Sequence, residues 1–416
     1  MDRKWTVIVY MVADTGASFY LSAMDNLTQM TTAEFNEEIK VLVHTDAPSP
    51  WVSKSWEVKT GTATPLEQGW DHKCFLDFAR KCVREYDAEN YLIVLWGHGE
   101  GIDWKQKILA NSLLDANSIR VGKRLWQGSE RTLEVVQIGQ TLRELHKELE
   151  NLGSNLKKDR VVVGFDACLM AMVEVYSEIQ PYVSWAVAAN DEIPDSGWPY
   201  DRILTKLGRD PGRVRPENLA NAIVEECVES YSHLNNKSAV SFSACNLSQD
   251  LRKGLEEGVE ELTKELVEHL KKSPVKASTA IWEARDFAED LKESAYVDLN
   301  AFCSKLQEVA CLQANQSDLR ELGKAAGTVV EVLKEFAAKK GFSDEYPQKY
   351  TKDSRAVSIC FPSSPDLEGS VPGIEIDLRS YNELQFVRKT NWCEFWAPYY
   401  KALKSSKEQI PLLVQT

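Results

Sequence analysis

Five apolar, β-branched runs in the first half of the chain, at residues 5–12, 39–45, 91–96, 160–165 and 184–189, restrict the folds open to it. Each is apolar almost without alternation, as strands covered on both faces are. Segments of helical periodicity lie between them, at 71–86 and 138–152. In the latter, Ile138, Leu142, Leu145 and Leu149 form one stripe. Such a β-α-β alternation predicts an α/β fold with a mostly parallel sheet and right-handed crossovers. The second half is richer in helix. Leu251, Leu255, Val259, Leu262, Leu266 and Leu270 define an apolar face over 249–272 that is expected to pack on its own protein. Ser317 and Gly341 bracket a further helix as start and stop. Strand candidates at 238–244 and 356–361 suggest that the sheet continues past the first half. The expected organisation is a core at 1–235 and a helix-rich region at 236–416 that extends the sheet.

Composition narrows the partners. A hydrophobic fraction of 43% with 27% charged residues is that of a folded globular chain. A formal charge of −14 repels phosphate backbones and anionic headgroups and favours cationic ligands, so neither nucleic acid nor a membrane surface is expected as a partner. No run reaches the roughly 18 apolar residues that cross a bilayer. The N-terminal residues run straight into the first strand without a signal-like segment. The nine cysteines form no C-x-x-C pair, and an odd number cannot all close into intrachain bridges, which suits a reducing cytoplasm.

Two of the runs end in residues with chemical potential. Residues 91–96 lead into Gly97-His98-Gly99-Glu100-Gly101, and 161–165 into Asp166-Ala167-Cys168-Leu169-Met170. Parallel strands open their C-terminal ends onto one edge, where ligand crevices form. His98 and Cys168 are therefore placed to meet. An imidazole beside a thiol can generate the thiolate and later protonate a departing amine. The backbone N–H groups of Gly99 and Cys168 are candidates for an oxyanion hole. Alone, a histidine after a strand is more often a structural residue and a lone cysteine more often a buried hydrophobe.

These motifs resemble those of the clostripain family of cysteine peptidases, in which one strand ends W-G-H-G-x-G and another D-A-C-L-M. Both are complete here, at 96–101 and 166–170. Residues 5–12, Ser196-Gly197-Trp198 with Tyr200 and Asp201, Tyr296-Val297-Asp298-Leu299 and 357–362 resemble further family blocks, so the similarity spans nearly the whole chain. The resemblance implies a caspase-like three-layer α/β sandwich, Cys168 as nucleophile and His98 as acid/base, with no third member required. It also implies cleavage after basic residues, with Asp166 binding the substrate cation. A bidentate carboxylate would prefer Arg over Lys. An aspartate at a strand end also caps a following helix, and the two roles are compatible. The acid-rich turn that ends D-G-W in the family has Ser196 in its last acidic position, leaving Asp191 or Asp195 as substitutes.

Residues 105–131 have weak periodicity and six basic residues, Lys105, Lys107, Arg120, Lys123, Arg124 and Arg131. A long connection of this kind is expected to be exposed and is a candidate for activating cleavage, by the enzyme itself or by an upstream protease. No cofactor is required. Calcium at the turn 191–195 is a weaker expectation, since no EF-hand spacing is present. Three rival functions fit the sequence less well. A dinucleotide loop fails because Ile102 stands where G-x-G-x-x-G needs its last glycine. A zinc deaminase lacks the P-C-x-x-C that would accompany His98-Gly99-Glu100, and His44-Thr45-Asp46 fits a loop better than a metal site. A catalytically silent caspase-like interaction module is disfavoured by the retention of both His98 and Cys168.

Overall fold

The computed structural model describes residues 3–66, 74–99, 101–102, 135–151, 158–233, 238–288, 295–312, 317–362 and 381–413. The five runs become β1 (Trp5–Met11), β2 (Ile39–Thr45), β5 (Asn90–Trp96), β6 (Val161–Asp166) and β7 (Trp185–Ala189). They pair in parallel in the order β7-β6-β5-β1-β2. Antiparallel strands complete the sheet at both margins. β3 (Lys54–Lys59) and β4 (Thr62–Pro65) extend it beyond β2, while β8 (Ser241–Asn246) and β10 (Ala337–Phe342) extend it beyond β7.

Helices cover both faces, as continuously apolar strands demand. On one face lie α1 (Ala17–Thr31), α5 (Tyr200–Gly208) and α6 (Pro216–His233). On the other lie α2 (Phe75–Glu85), α3 (Val135–Asn151), α4 (Val173–Ile179) and the C-terminal helices α7 (Gln249–Lys272), α8 (Pro274–Ala288), α9 (Leu299–Leu312) and α10 (Arg320–Phe336). Strand parity sorts the side chains. Leu92, Val94 and Trp96 of β5 enter the α1 side, whereas Tyr91, Ile93 and Leu95 enter the α2 side. The leucine face of α7 is buried and packs on α8 and α10, as its stripe indicates. Among the described residues, no helix is long and apolar enough to cross a membrane.

Two expectations need correction. Gly341 does not stop a helix: α10 ends at Phe336 and Gly341 lies inside β10. A Cβ there would stand 2.6 Å from Val228 of α6, so the glycine permits close strand-on-helix packing. Lys339 and Lys340 make 337–342 read as helix surface, yet lysines also suit an edge strand. The run at 356–361 gives β11 (Ser358–Cys360), which pairs with β9 (Tyr296–Asp298) in a separate sheet rather than extending the main one. The β3–β4 hairpin gave no signal because its short strands are only partly buried.

Candidate active site

β5 and β6 run in register from Tyr91 opposite Val161 to Trp96 opposite Asp166. Two residues past that last pair stand His98 and Cys168, so the shared strand direction delivers both to one edge. They line a single narrow cleft of about 20 Å³, together with Asp166, Asp195, Ile193 and Phe19.

The loops bearing the two residues touch through their backbones. A Cβ on Gly99 would lie 2.1 Å from the carbonyl oxygen of Cys168 and 2.9 Å from its nitrogen, an approach that only glycine allows. Directly after Cys168, Leu169 adopts a left-handed φ of 59°, a conformation that costs a bulky residue about 1–3 kcal/mol. Neighbouring hydrogen bonds hold it there: Leu169 N–H donates to Asp191 O (3.2 Å) and Ala171 N–H to Ala189 O (2.9 Å).

The Cys168 thiol is half-buried, and the Ile193 N–H reaches its sulfur at 3.3 Å. Burial pushes its pKa up to about 11. The Ile193 N–H works against that rise, and the negative charges of Glu192, Asp195 and Asp166 add to it. His98 is exposed, and its ring stacks on Phe19 with centroids 3.9 Å apart and planes 8° from parallel.

Asp166 shares the parity of Val162 and so faces the α5 side. Only 3% of it is exposed. Its Oδ2 accepts hydrogen bonds from Trp198 N–H (3.0 Å) and the Tyr200 hydroxyl (2.8 Å), while its buried Oδ1 accepts none among the described residues. Burial raises its pKa to about 7, opposed by those two donors. It does not cap α4, whose N-cap is Met172. The Gly197-Trp198 pair is dictated by this packing. Gly197 has φ 66°, and a Cβ on it would meet Asn26 Oδ1 at 2.3 Å and Asp166 Oδ2 at 2.9 Å. Gly164 in β6 leaves room for the Trp198 ring, which a Cβ would meet at 2.5 Å.

Comparison with known sequences is decisive at this point, because the clostripain family profile matches residues 9–405. The chain belongs to the clostripain family. It is a cysteine peptidase. No curated protein sequence matches it significantly. Among solved structures, an inactive zymogen C11 protease from Parabacteroides distasonis aligns with TM-score 0.60 at 15% identity, covering 94% of this chain and 99% of that one. A secreted C11 cysteine protease from Bacteroides thetaiotaomicron, solved with an irreversible peptide inhibitor, aligns with TM-score 0.58 at 17% identity, covering 94% and 99%. At these identities the likeness establishes the shared three-layer fold.

Of the other candidate residues in this clostripain-family chain, Asp195 is exposed at the cleft, whereas Asp191 is buried and spends Oδ1 on the Glu192 N–H (2.7 Å). Ser196 lies near the Tyr231 hydroxyl (3.5 Å). Lys105, Lys107, Arg120, Lys123, Arg124 and Arg131 lie outside the described residues. His44 is a packed core residue, stacked on Tyr10 with Nδ1 2.9 Å from Ser55 Oγ. Among the described residues, no group of three or more His, Cys, Asp or Glu is placed to hold a metal ion. The block at 296–299 lies outside the cleft: the Tyr296 hydroxyl accepts the Ile102 N–H (3.1 Å), and Asp298 receives Ala301 N–H (2.8 Å), Ser354 Oγ (2.6 Å) and Arg355 N–H (3.1 Å). Sequence reasoning missed Phe19, Asn26 and the part played by Tyr200. The only signal for the first two was their seven-residue spacing, which puts them on one face of a helix.

Proposed function

We propose that this peptidase cleaves after basic residues, Arg before Lys, through a Cys168–His98 dyad and an acyl-enzyme. The observation that supports this most is the Asp166 carboxylate, which lines the cleft of Cys168 with one buried oxygen that has no partner among the described residues. A buried acceptor without a donor is costly, and a guanidinium would satisfy it. Asp195 adds a second, exposed carboxylate to the same cleft.

In the proposed cycle His98 takes the Cys168 proton and the thiolate attacks the scissile carbonyl. The N–H groups of Gly99 and Cys168 hold the resulting oxyanion. Collapse breaks the C–N bond, and the imidazolium gives its proton to the leaving amine. Water, deprotonated by His98, then hydrolyses the thioester and restores the thiol. A thiol pKa near 11 makes transfer to His98 essential at neutral pH, and a cation seated on Asp166 would weaken the negative field that opposes the thiolate. Both proton transfers run through His98, so the chemistry calls for no cofactor. Cleavage assayed with and without chelated calcium checks that directly.

Activation by a cut within 105–131 belongs to the same reading. That stretch joins the His98 strand to the Cys168 half of the core, and the β5–β6 pairing would keep the two fragments together. The narrowness of the cleft fits a latent form, and the Parabacteroides relative was solved as an inactive zymogen. A reducing compartment is also proposed, since all nine cysteines are free. The Bacteroides relative is secreted, so cell fractionation is the direct check. A positional-scanning peptide library with wild type, Cys168→Ala and His98→Ala tests the whole reading. Arg-directed cleavage lost in both variants is expected; turnover retained by either variant, or a preference for apolar residues before the cut, would refute it.

A further inference from the structure

We propose that Phe19 is a positioning residue for His98, fixing the plane of the imidazole beside Cys168 and favouring its protonated form. The inference rests on the dyad reading above and adds a residue to it. The torsion that sets an imidazole plane is broad, so the backbone of an exposed His98 leaves its ring orientation open. A flat neighbour at 3.9 Å and 8° closes that freedom.

Phe19 is itself held firmly. Its ring packs on Trp96, with centroids 4.5 Å apart and planes at 37°. Trp96 Nε1 donates to Asn26 Oδ1 (2.8 Å), and Asn26 Nδ2 donates to Ser196 O (2.7 Å). Phe19 and Asn26 share one face of α1, so a single helix braces the His98 strand end and the turn that borders Asp166. That bracing accounts for the position of the stack.

Its geometry also indicates a charge state. Two neutral aromatic rings prefer offset or edge-to-face contact over a near face-to-face pair. A cation over the π face reverses that preference. Imidazolium exists in the dyad between proton uptake from Cys168 and proton delivery to the leaving amine. Phe19 therefore stabilises His98 in the form that acts as general acid.

The test compares wild type, Phe19→Leu, Phe19→Met and Phe19→Tyr with an Arg-directed peptide across pH, in full-length active enzyme. In the variants without a π face, kcat is expected to fall about threefold and the acid limb of the kcat/KM profile, where His98 gains its proton, to move down by about half a pH unit, the size of an exposed cation–π contact. Phe19→Tyr is expected to restore both. A second reading needs no turnover: in a Cys168→Ala background the His98 C2–H resonance, assigned with His98→Ala, titrates lower when Phe19 is Leu or Met. Unchanged profiles and titration in Leu and Met variants would overturn the proposal, as would a loss of kcat that Tyr shares with no shift in the limb. Where cleavage survives in His98→Ala, the dyad itself falls; where it is lost there but Phe19→Leu and Phe19→Met behave as wild type, only the role of Phe19 falls.

Discussion

Asp166→Asn should lower activity and raise stability together. The substitution keeps the volume and an oxygen for Trp198 N–H and the Tyr200 hydroxyl, while removing the charge. Breaking a desolvated charge pair costs about 2–5 kcal/mol, or roughly 30- to 4,000-fold in kcat/KM for a peptide with Arg before the cut. With only 3% of Asp166 exposed, at least about a hundredfold is expected. The carboxyl has a pKa of about 7, so in wild type kcat/KM for Arg peptides should fall as pH drops through about 7 and the carboxyl takes up a proton. The variant lacks that limb. Stability runs the other way. The folded carboxyl holds its proton to higher pH than the unfolded one, whose usual value is 3.8, so stability is full below 3.8 and is lost as pH rises through about 7. The loss at about pH 8 is on the order of 4 kcal/mol as an upper bound, and Asn does not incur it. Initial rates on Arg peptides from about pH 5.5 to 8.5, with thermal melts near pH 4 and pH 8, read both effects. Cleavage within about threefold of wild type, or a lower melting temperature near pH 8, would refute the reasoning.

Gly99→Ala is expected to cut kcat at least about tenfold and destabilise by about 1–3 kcal/mol, because the new Cβ would press backbone against backbone at 2.1 Å; unchanged melting would deny that contact. Glu192→Gln combined with Asp195→Asn removes two charges that raise the Cys168 pKa, so alkylation by iodoacetamide near pH 8 should be faster than in wild type, and an equal or slower rate counts against the field described here. Intact-mass analysis should show a two-chain active wild type and a single-chain Cys168→Ala if the cut at 105–131 is autocatalytic; a fully active, uncut wild type contradicts processing, and a cut Cys168→Ala assigns it to an upstream protease.

The sequence by itself determined the five parallel strands and the meeting of His98 with Cys168. A strand buried on both faces must be apolar along its whole length, and parallel neighbours must end on the same side, so both facts are written locally. Gly99 was legible for the same reason, since a glycine flanking a reactive residue marks a close approach. What lay beyond local pattern was decided by the tertiary structure. Residues 337–342 form a strand because β8 offers an edge and α6 leaves no room for a Cβ at Gly341. The run 356–361 leaves the main sheet because β9 pairs with it. Asp191 and Asp195 look interchangeable in sequence, yet one bonds its own turn and the other borders the cleft. Phe19 and Asn26 reach the site, and Tyr200 and Trp198 both bond Asp166 through its Oδ2, only because α1 and α5 pack on the same face of the sheet. Such contacts join residues up to about 170 positions apart, as Asn26 and Ser196 are. Periodicity reports which face a residue occupies, and only packing selects what it meets there.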